Sequence, residues 1–426
     1  MTRFRGDRLP VHVAVILATI VVAAACAAPA PVATPQDAAA GMSPAASGPA
    51  ATGPAPTQTG SPAASPAAAA TSPPAPPSSP TQAEIDRLLA TVAADPDDPG
   101  AQRDLGLALL QRVRETADPS LYAPAATAFE AARRLAPDDA TILVGLGGLQ
   151  LGRHEFAKAL ETGRRAAELS PRLASARAVI VDALVELGRY DEADEAAGEM
   201  LALGSDLSTL ARVSYLAELH GKLDVALQAM RMAASSPGLA PENTAYVETL
   251  LGNLLVYNGD PNGAAEAYRA ALDRVPAHAP SLAGQGRLAV GRGDLDEAIA
   301  LFQRASEIVP LPEYVIALGD AQAAAGLAGD ADRSFALARA EIQLFEASGV
   351  VVDLDLALFE ADHGDPARAL TFAQTAYDTA PTVRAADALA WSLHRLDRDD
   401  EAKPYVEEAL RLGSRDPLLR YHAGAI

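Results

Sequence analysis

The sequence predicts an all-α, right-handed superhelical solenoid of about nine helical hairpins, on three observations. A short motif returns at a nearly fixed interval. Gly188-Arg189-Tyr190-Asp191-Glu192-Ala193 and Gly293-Asp294-Leu295-Asp296-Glu297-Ala298 are clear copies, and Gly221, Gly259, Gly326 and Gly364 open degenerate ones, each with an alanine five residues on. The intervals between these glycines are 33, 38, 34, 33 and 38 residues, the length of a helical hairpin that cannot bury its own apolar face and must stack on copies of itself. Prolines keep step with the motif at Pro137, Pro171, Pro276, Pro310 and Pro381, closing units because proline starts a helix but does not continue one. Finally, the apolar fraction of 49% is inflated by alanine while aromatics are 4%, which predicts a core of close helix contacts rather than large side chains.

Three segments are expected in chain order: a leader (1–25), a tether (26–80) and the solenoid (81–426). Arg3, Arg5 and Arg8 precede an apolar run from Val11 to Ala25 broken only by His12 and Thr19, which is the pattern of a secretory signal. The run ends in Ala23-Ala24-Ala25-Cys26, which resembles a bacterial lipobox, with Ala23 where leucine is usual. That resemblance implies that Cys26 is lipidated and becomes the mature N-terminus; an uncleaved signal anchor is the alternative. Both place the body outside the cytoplasm, in a bacterial cell envelope. Ala27 to Pro80 is almost wholly Ala, Pro, Ser, Thr and Gly with Asp37 its only charge, a composition that cannot offset the entropy of ordering it. Such a tether spans roughly 40 Å as a coil and at most about 170 Å as polyproline II.

Thr81-Gln82-Ala83-Glu84 reads as a capping box, followed at helical spacing by Ile85, Leu88, Leu89 and Val92, so the ordered body begins here with a helix ended by Pro96 and Pro99. From about Pro99 to Ile426 the chain resembles the tetratricopeptide repeat family. Leu105-Gly106, Leu146-Gly147, Leu251-Gly252 and Leu318-Gly319 match the large–small pair of the family's first helix. Ala125, Ala159, Ala193, Ala226, Ala264, Ala298, Ala331, Ala369 and Ala402 match the alanine that opens its second helix, and Phe129, Tyr268, Phe302 and Phe335 the larger residue one turn later. Irregularities fall at Thr116–Tyr122, Pro237–Asn243 and Ala338–Val352, and Asp416–Ile426 reads as the first helix of a tenth unit.

In this family the concave face is lined by first helices, so the resemblance implies a binding surface of Asp182, Glu186, Tyr215, Glu218, Tyr246, Asn253, Tyr257, Arg287, Asp320, Arg384, Asp387, Trp391 and Arg395. Tyr, Trp and Arg supply rigid contact area with a polar handle. Packing of the tyrosines and of Trp391 between helices is the competing expectation. Only Asn253 and Arg287 resemble the carboxylate clamp of the family's chaperone-binding members.

Charge and chemistry narrow the function. The formal net charge is −21; the first 80 residues carry +1 (Arg3, Arg5 and Arg8 against Asp7 and Asp37), leaving −22 on the body, which repels nucleic-acid backbones. No phosphate-binding loop, catalytic triad or cofactor motif is present, so neither an enzyme nor a cofactor is expected. The densest titratable group, Asp353, Asp355, Glu360, Asp362, His363 and Asp365, could be drawn as a metal site, but helix-end capping accounts for it. The expectation is a lipid-anchored scaffold that binds a protein or peptide partner, with an extracytoplasmic small-molecule, glycan or metal-binding protein as the alternative.

Overall fold

A computed structural model describes residues 79–236 and 241–426. The leader, Cys26, the tether and part of the Pro237–Asn243 irregularity lie outside the described residues.

Among the described residues the chain is helical throughout. A lone helix α1 (Pro80–Ala94) precedes nine hairpins: α2 (Pro99–Thr116) with α3 (Tyr122–Leu135), α4 (Ala140–Gly152) with α5 (Phe156–Leu169), α6 (Ala174–Glu186) with α7 (Tyr190–Leu203), and α8 (Leu207–Leu219) with α9 (Leu223–Ala234). They continue with α10 (Pro241–Tyr257) and α11 (Pro261–Arg274), α12 (Ala279–Arg292) and α13 (Leu295–Ile308), and α14 (Pro312–Ala324) and α15 (Ala328–Ala347). Last come α16 (Asp353–His363) with α17 (Pro366–Thr379), α18 (Val383–His394) with α19 (Asp399–Leu410), and a final helix α20 (Pro417–Ala425) that packs on unit nine.

The recurring glycine is a helix stop. Gly188, Gly221, Gly259, Gly293 and Gly326 have φ between 66° and 79°, the left-handed conformation that ends a first helix without a Cβ penalty. Units two and nine manage with His154 (φ 60°) and Asp397 (φ 58°). Gly364 departs from the motif, with φ −142°; it is glycine because the Glu360 carboxylate fills the space a Cβ would take. Helix starts are fixed by Asp98, Asp139, Asp206, Asp260, Asp294, Asp365 and Asp416, whose side chains accept first-turn backbone N–H groups. The expected capping box at Thr81 does not form. Helix α1 starts one residue earlier, so Thr81 lies inside its first turn and donates to Glu115, while Glu84 pairs with Arg87.

First helices are enclosed on nearly every side, as in α4, where Ile142, Leu143, Val144, Leu146, Leu149 and Leu151 are all buried. Second helices bury one stripe: Ala159, Ala193, Ala226, Ala264, Ala298, Ala369 and Ala402 are fully buried. The large–small pattern has a direct cause in the rings. A Cβ on Gly106 would lie 2.7 Å from the Phe129 ring, one on Gly284 2.6 Å from Tyr268, one on Gly286 2.8 Å from Phe302 and one on Gly319 2.5 Å from Phe335. Each ring is a peg whose hole is a glycine on its own first helix or the next one.

The array also packs against itself. Arg153 and His154, in the turn of unit two, meet the irregular segment after unit seven: the Val351 N–H donates to Arg153 O at 3.3 Å, and His154 Nδ1 lies 2.6 Å from Val351 O. The turn of unit three meets unit nine, where the Val383 N–H donates to the Tyr190 hydroxyl at 3.0 Å and Arg411 lies over the Tyr190 ring at 5.0 Å. The turn of unit four meets the chain after unit nine, where a Cβ on Gly221 would run into the Gly413 carbonyl. Two of these meetings join residues 196 and 193 apart, so the stack returns on itself at a regular interval. Apolar clusters seal the seam: Leu109, Leu110 and Tyr122 share one core with Ile342, Val350 and Phe359. Irregular Ala338–Val352 is therefore the segment through which unit seven reaches unit two.

Candidate functional site

Because units seven to nine cover the turns of units two to four, the polar residues of the first helices converge on a closed interior rather than an open groove. Arg384 stands at one end of it, half-buried and facing Glu186, Tyr215, Tyr257 and Asp416, whose charges and hydroxyls hold its proton against the cost of burial. Burial pushes the carboxyls around it upward: Glu186 to about 7, Glu218 to about 8 and Asp355 to about 7, with Arg384 opposing each rise. Tyr215 and Tyr257 are half-buried, and burial pushes both phenols up. Asp182 is taken by Arg212, a buried guanidinium that meets the carboxylate at 2.5 and 2.8 Å and also donates to Ser208.

Asn253 and Arg287 do come together. Asn253 Oδ1 accepts from Arg287 Nη2 at 3.0 Å and from the Tyr268 hydroxyl at 2.7 Å. Among the described residues Arg287 makes no ion pair. It lines a cavity of about 180 Å³ with Tyr246, Glu242, Glu313, Tyr314 and His278 on its polar side and Leu250, Val275, Ile308, Val309 and Leu311 on its apolar side. A second cavity of about 80 Å³, almost wholly apolar, adjoins it at Arg114 and Leu311. A third, of about 90 Å³, adjoins the second at His154 and Asp355 and reaches Glu186 and Arg384.

Four of the expected contact residues have other work. Trp391 is 3% exposed, stacks on His422 at 4.1 Å and donates its indole N–H to Asp362 at 2.8 Å. Asp387 is 4% exposed and meets His422 Nδ1 at 2.8 Å. These two are core, because α20 closes over unit nine and takes the face that a partner would need. Asp320 is likewise buried, 3.5 Å from His363. Arg395 is exposed, but its Nε donates to Ala361 O at 2.9 Å and so holds the end of α16. Tyr246 is 7% exposed, edge-on to His278, and reaches the large cavity.

The acidic group drawn as a metal site comes apart. Glu360 is 1% exposed, accepts the Asp365 N–H at 2.9 Å and lies between Arg339 and Arg368, each at 3.4 Å. Asp365 caps α17, and His363 stacks on Phe335 at 4.0 Å. Among the described residues no group of three or more His, Cys, Asp or Glu side chains is placed to hold a metal ion. Nor is any helix among them long and apolar enough to cross a membrane.

Sequence reasoning missed Arg212, Glu313, Asp355 and Asp416. Glu313 was within reach, since it adjoins a tyrosine in the first helix of its unit. Asp355 and Asp416 belong to the interior only because distant units meet, which no local pattern records.

Comparison with known proteins agrees with this architecture. The family model described as tetratricopeptide repeat matches residues 120–174 and 249–311. Solved structures similar to the chain include a human IFIT1 dimer with PPP-AAAA, at 15% identity and TM-score 0.48 over 78% of each chain. Another is YrrB, described as a TPR protein with an unusual peptide-binding site, at 20% identity and TM-score 0.30 over 43% of this chain and 92% of that one. No curated protein matches the sequence. The matched segments cover α3 to α5 and the span from mid-α10 to the end of α13, and the same hairpin recurs on either side of them; the chain is an all-α solenoid that carries tetratricopeptide repeats.

Proposed function

We propose that this protein is an exported, lipid-anchored scaffold: residues 1–25 direct export, Cys26 carries the lipid, 26–80 form a tether, and the solenoid from 81 to 426 holds a protein or peptide partner in the bacterial envelope. With the interior closed, the partner engages the outer second helices. The observation that carries this reading is a pair of apolar positions, one heptad apart, on two of those helices. Val225 and Met232 on α9 are 48% and 49% exposed, and Leu337 and Leu344 on α15 are 52% and 55% exposed. Such heptad-spaced side chains on a solvated helix face offer knobs to a second helix. On a body of charge −22 the complementary partner is an amphipathic, basic segment.

The test has two arms. Cys26→Ala should leave an unprocessed precursor and abolish labelling by fatty acid; unchanged labelling would refute the anchor. Crosslinking in detergent-solubilised envelope should recover a partner that Val225→Lys with Met232→Lys releases while the melting temperature stays put. Undiminished recovery by that variant would move the partner surface elsewhere.

One observation favours a second reading, a binding protein for a small molecule. An enclosed cavity of about 150 Å³ takes a benzene ring. The Arg287 cavity is of that order and has a charged wall as well as an apolar one.

A further inference from the structure

The Arg287 cavity has three chemically distinct walls, and together they describe a ligand. One wall is a guanidinium. Arg287 carries five N–H donors in a fixed fork, gives one to Asn253 Oδ1 at 3.0 Å, and among the described residues has no carboxylate within ion-pairing distance. The second wall is anionic. Of the three carboxylates that line the cavity, Glu115 is already engaged by Thr81, Gln111 and Arg112, which leaves Glu242 and Glu313 facing the space. The third wall is apolar, built by Leu250, Val275 and Ile308.

A simple anion answers Arg287 but meets the two glutamates. A simple cation answers the glutamates but leaves the guanidinium without a counter-charge. A molecule carrying both charges on neighbouring atoms, with a short apolar branch, answers all three walls.

We propose that the cavity between units five, six and seven binds a small zwitterionic α-amino acid with an aliphatic side chain. Its carboxylate lies on Arg287 and the Asn253 amide, its ammonium on Glu242 and Glu313, and its side chain on the apolar wall. This rests on the small-molecule reading and names the ligand class of that same cavity. The volume limits the side chain to roughly the size of leucine's, since a cavity near 150 Å³ holds six ring carbons. His278 reinforces the apolar end. Thr249 Oγ1 donates to Ala245 O, so the Ser281 hydroxyl donates to Thr249 and the His278 Nδ1–H donates to Ser281, a chain that fixes one neutral tautomer and pins the ring. Burial lowers the His278 pKa to about 4, which keeps a competing positive charge away from the ligand's ammonium.

The full chain in detergent, titrated calorimetrically with L-leucine, 4-methylpentanoate, 3-methylbutylamine, N-acetylleucine and leucinamide, tests this directly. L-leucine should bind at least about 10-fold tighter than any of the four single-charge analogues, since each loses one charge-assisted contact. Arg287→Gln should lower leucine affinity at least about 10-fold and leave 3-methylbutylamine unchanged, and Glu313→Gln should do the converse with 4-methylpentanoate as the unaffected probe. Equal binding of leucine and 4-methylpentanoate would overturn the amino-acid assignment while leaving a small-molecule site in place. No heat from any of the five would sink both. The comparison among ligands uses the unaltered protein, so it stands even where a variant fails to fold.

Discussion

The Tyr190 hydroxyl accepts a hydrogen bond from the Val383 backbone N–H at 3.0 Å, joining unit three to unit nine across 193 residues. Val383 opens α18, where a helix has N–H groups without intrahelical partners, and Tyr190 opens α7 with its ring 4% exposed. One phenol thus satisfies a buried helix start in a distant unit. Tyr190→Phe keeps the ring and removes the acceptor, and should cost about 1–3 kcal/mol in urea unfolding because the orphaned N–H stays buried. A variant as stable as wild type would mean that this seam opens in solution.

A matched pair of glycines separates backbone strain from contact at the seam. Gly221 and Gly293 both have positive φ, but a Cβ on Gly221 meets the Gly413 carbonyl, whereas one on Gly293 meets nothing within 4 Å. Gly293→Ala should cost about 1–2 kcal/mol from the left-handed conformation alone. Gly221→Ala should cost about 1–3 kcal/mol more, because a backbone carbonyl cannot turn aside as a flexible side chain can. Equal losses in melting experiments would remove the contact from the account.

Inside the repeat, the peg-and-hole pairing makes opposite predictions for two helical glycines. Gly284→Ala places a methyl 2.6 Å from the Tyr268 ring and should destabilise by about 1–3 kcal/mol. Gly198→Ala, on the exposed side of α7 with nothing within 4 Å, should stabilise by about 0.5–1 kcal/mol through helix propensity. Differential scanning fluorimetry of the two reads both signs, and a stabilised Gly284→Ala would contradict the ring register.

The hairpins themselves were legible because their causes are local. A glycine that must be left-handed, an alanine where helices cross and a proline that stops a unit are each fixed by a few neighbouring residues, and they returned nine times. The site was less legible. Which face of a first helix points inward follows from the register, and Tyr215, Tyr257, Arg287 and Arg384 do line the interior. What covers that face depends on where unit nine lands relative to unit three, so Trp391 and Asp387 read as contact residues until α20 is seen to bury them. The apolar pairs on α9 and α15 were invisible for another reason: leucine, valine and methionine in an alanine-rich helix read as core, and only exposure distinguishes them.

Interior carboxyls give the body a pH dependence with a definite sign. Burial pushes Glu218 up to about 8, with Asp416 adding to the rise, while an unfolded glutamate titrates near 4.5. The folded state therefore holds this proton over a window in which the unfolded state has released it, so the group's contribution falls as pH climbs from about 5 to about 8 and is constant above that. Glu218→Gln removes the titration. Its melting temperature should match wild type near pH 5 and exceed it increasingly toward about pH 8. A gap that stays constant with pH would show that Glu218 is not held in a desolvated interior.

Closure of the array on itself underlies both the interior cavity and the outward placement of the partner surface, and one measurement tests it most directly. Val351 N–H donates to Arg153 O at 3.3 Å, so the two backbones run alongside each other although 198 residues separate them (351 − 153 = 198). With Cys26 replaced by serine, Arg153→Cys with Val351→Cys should oxidise to an intramolecular disulfide under mild conditions, without loss of helicity and with a raised melting temperature, as expected for a crosslink closing so long a loop. A protein that stays fully reduced, or that crosslinks only between molecules, would contradict the closed array and restore an open concave groove.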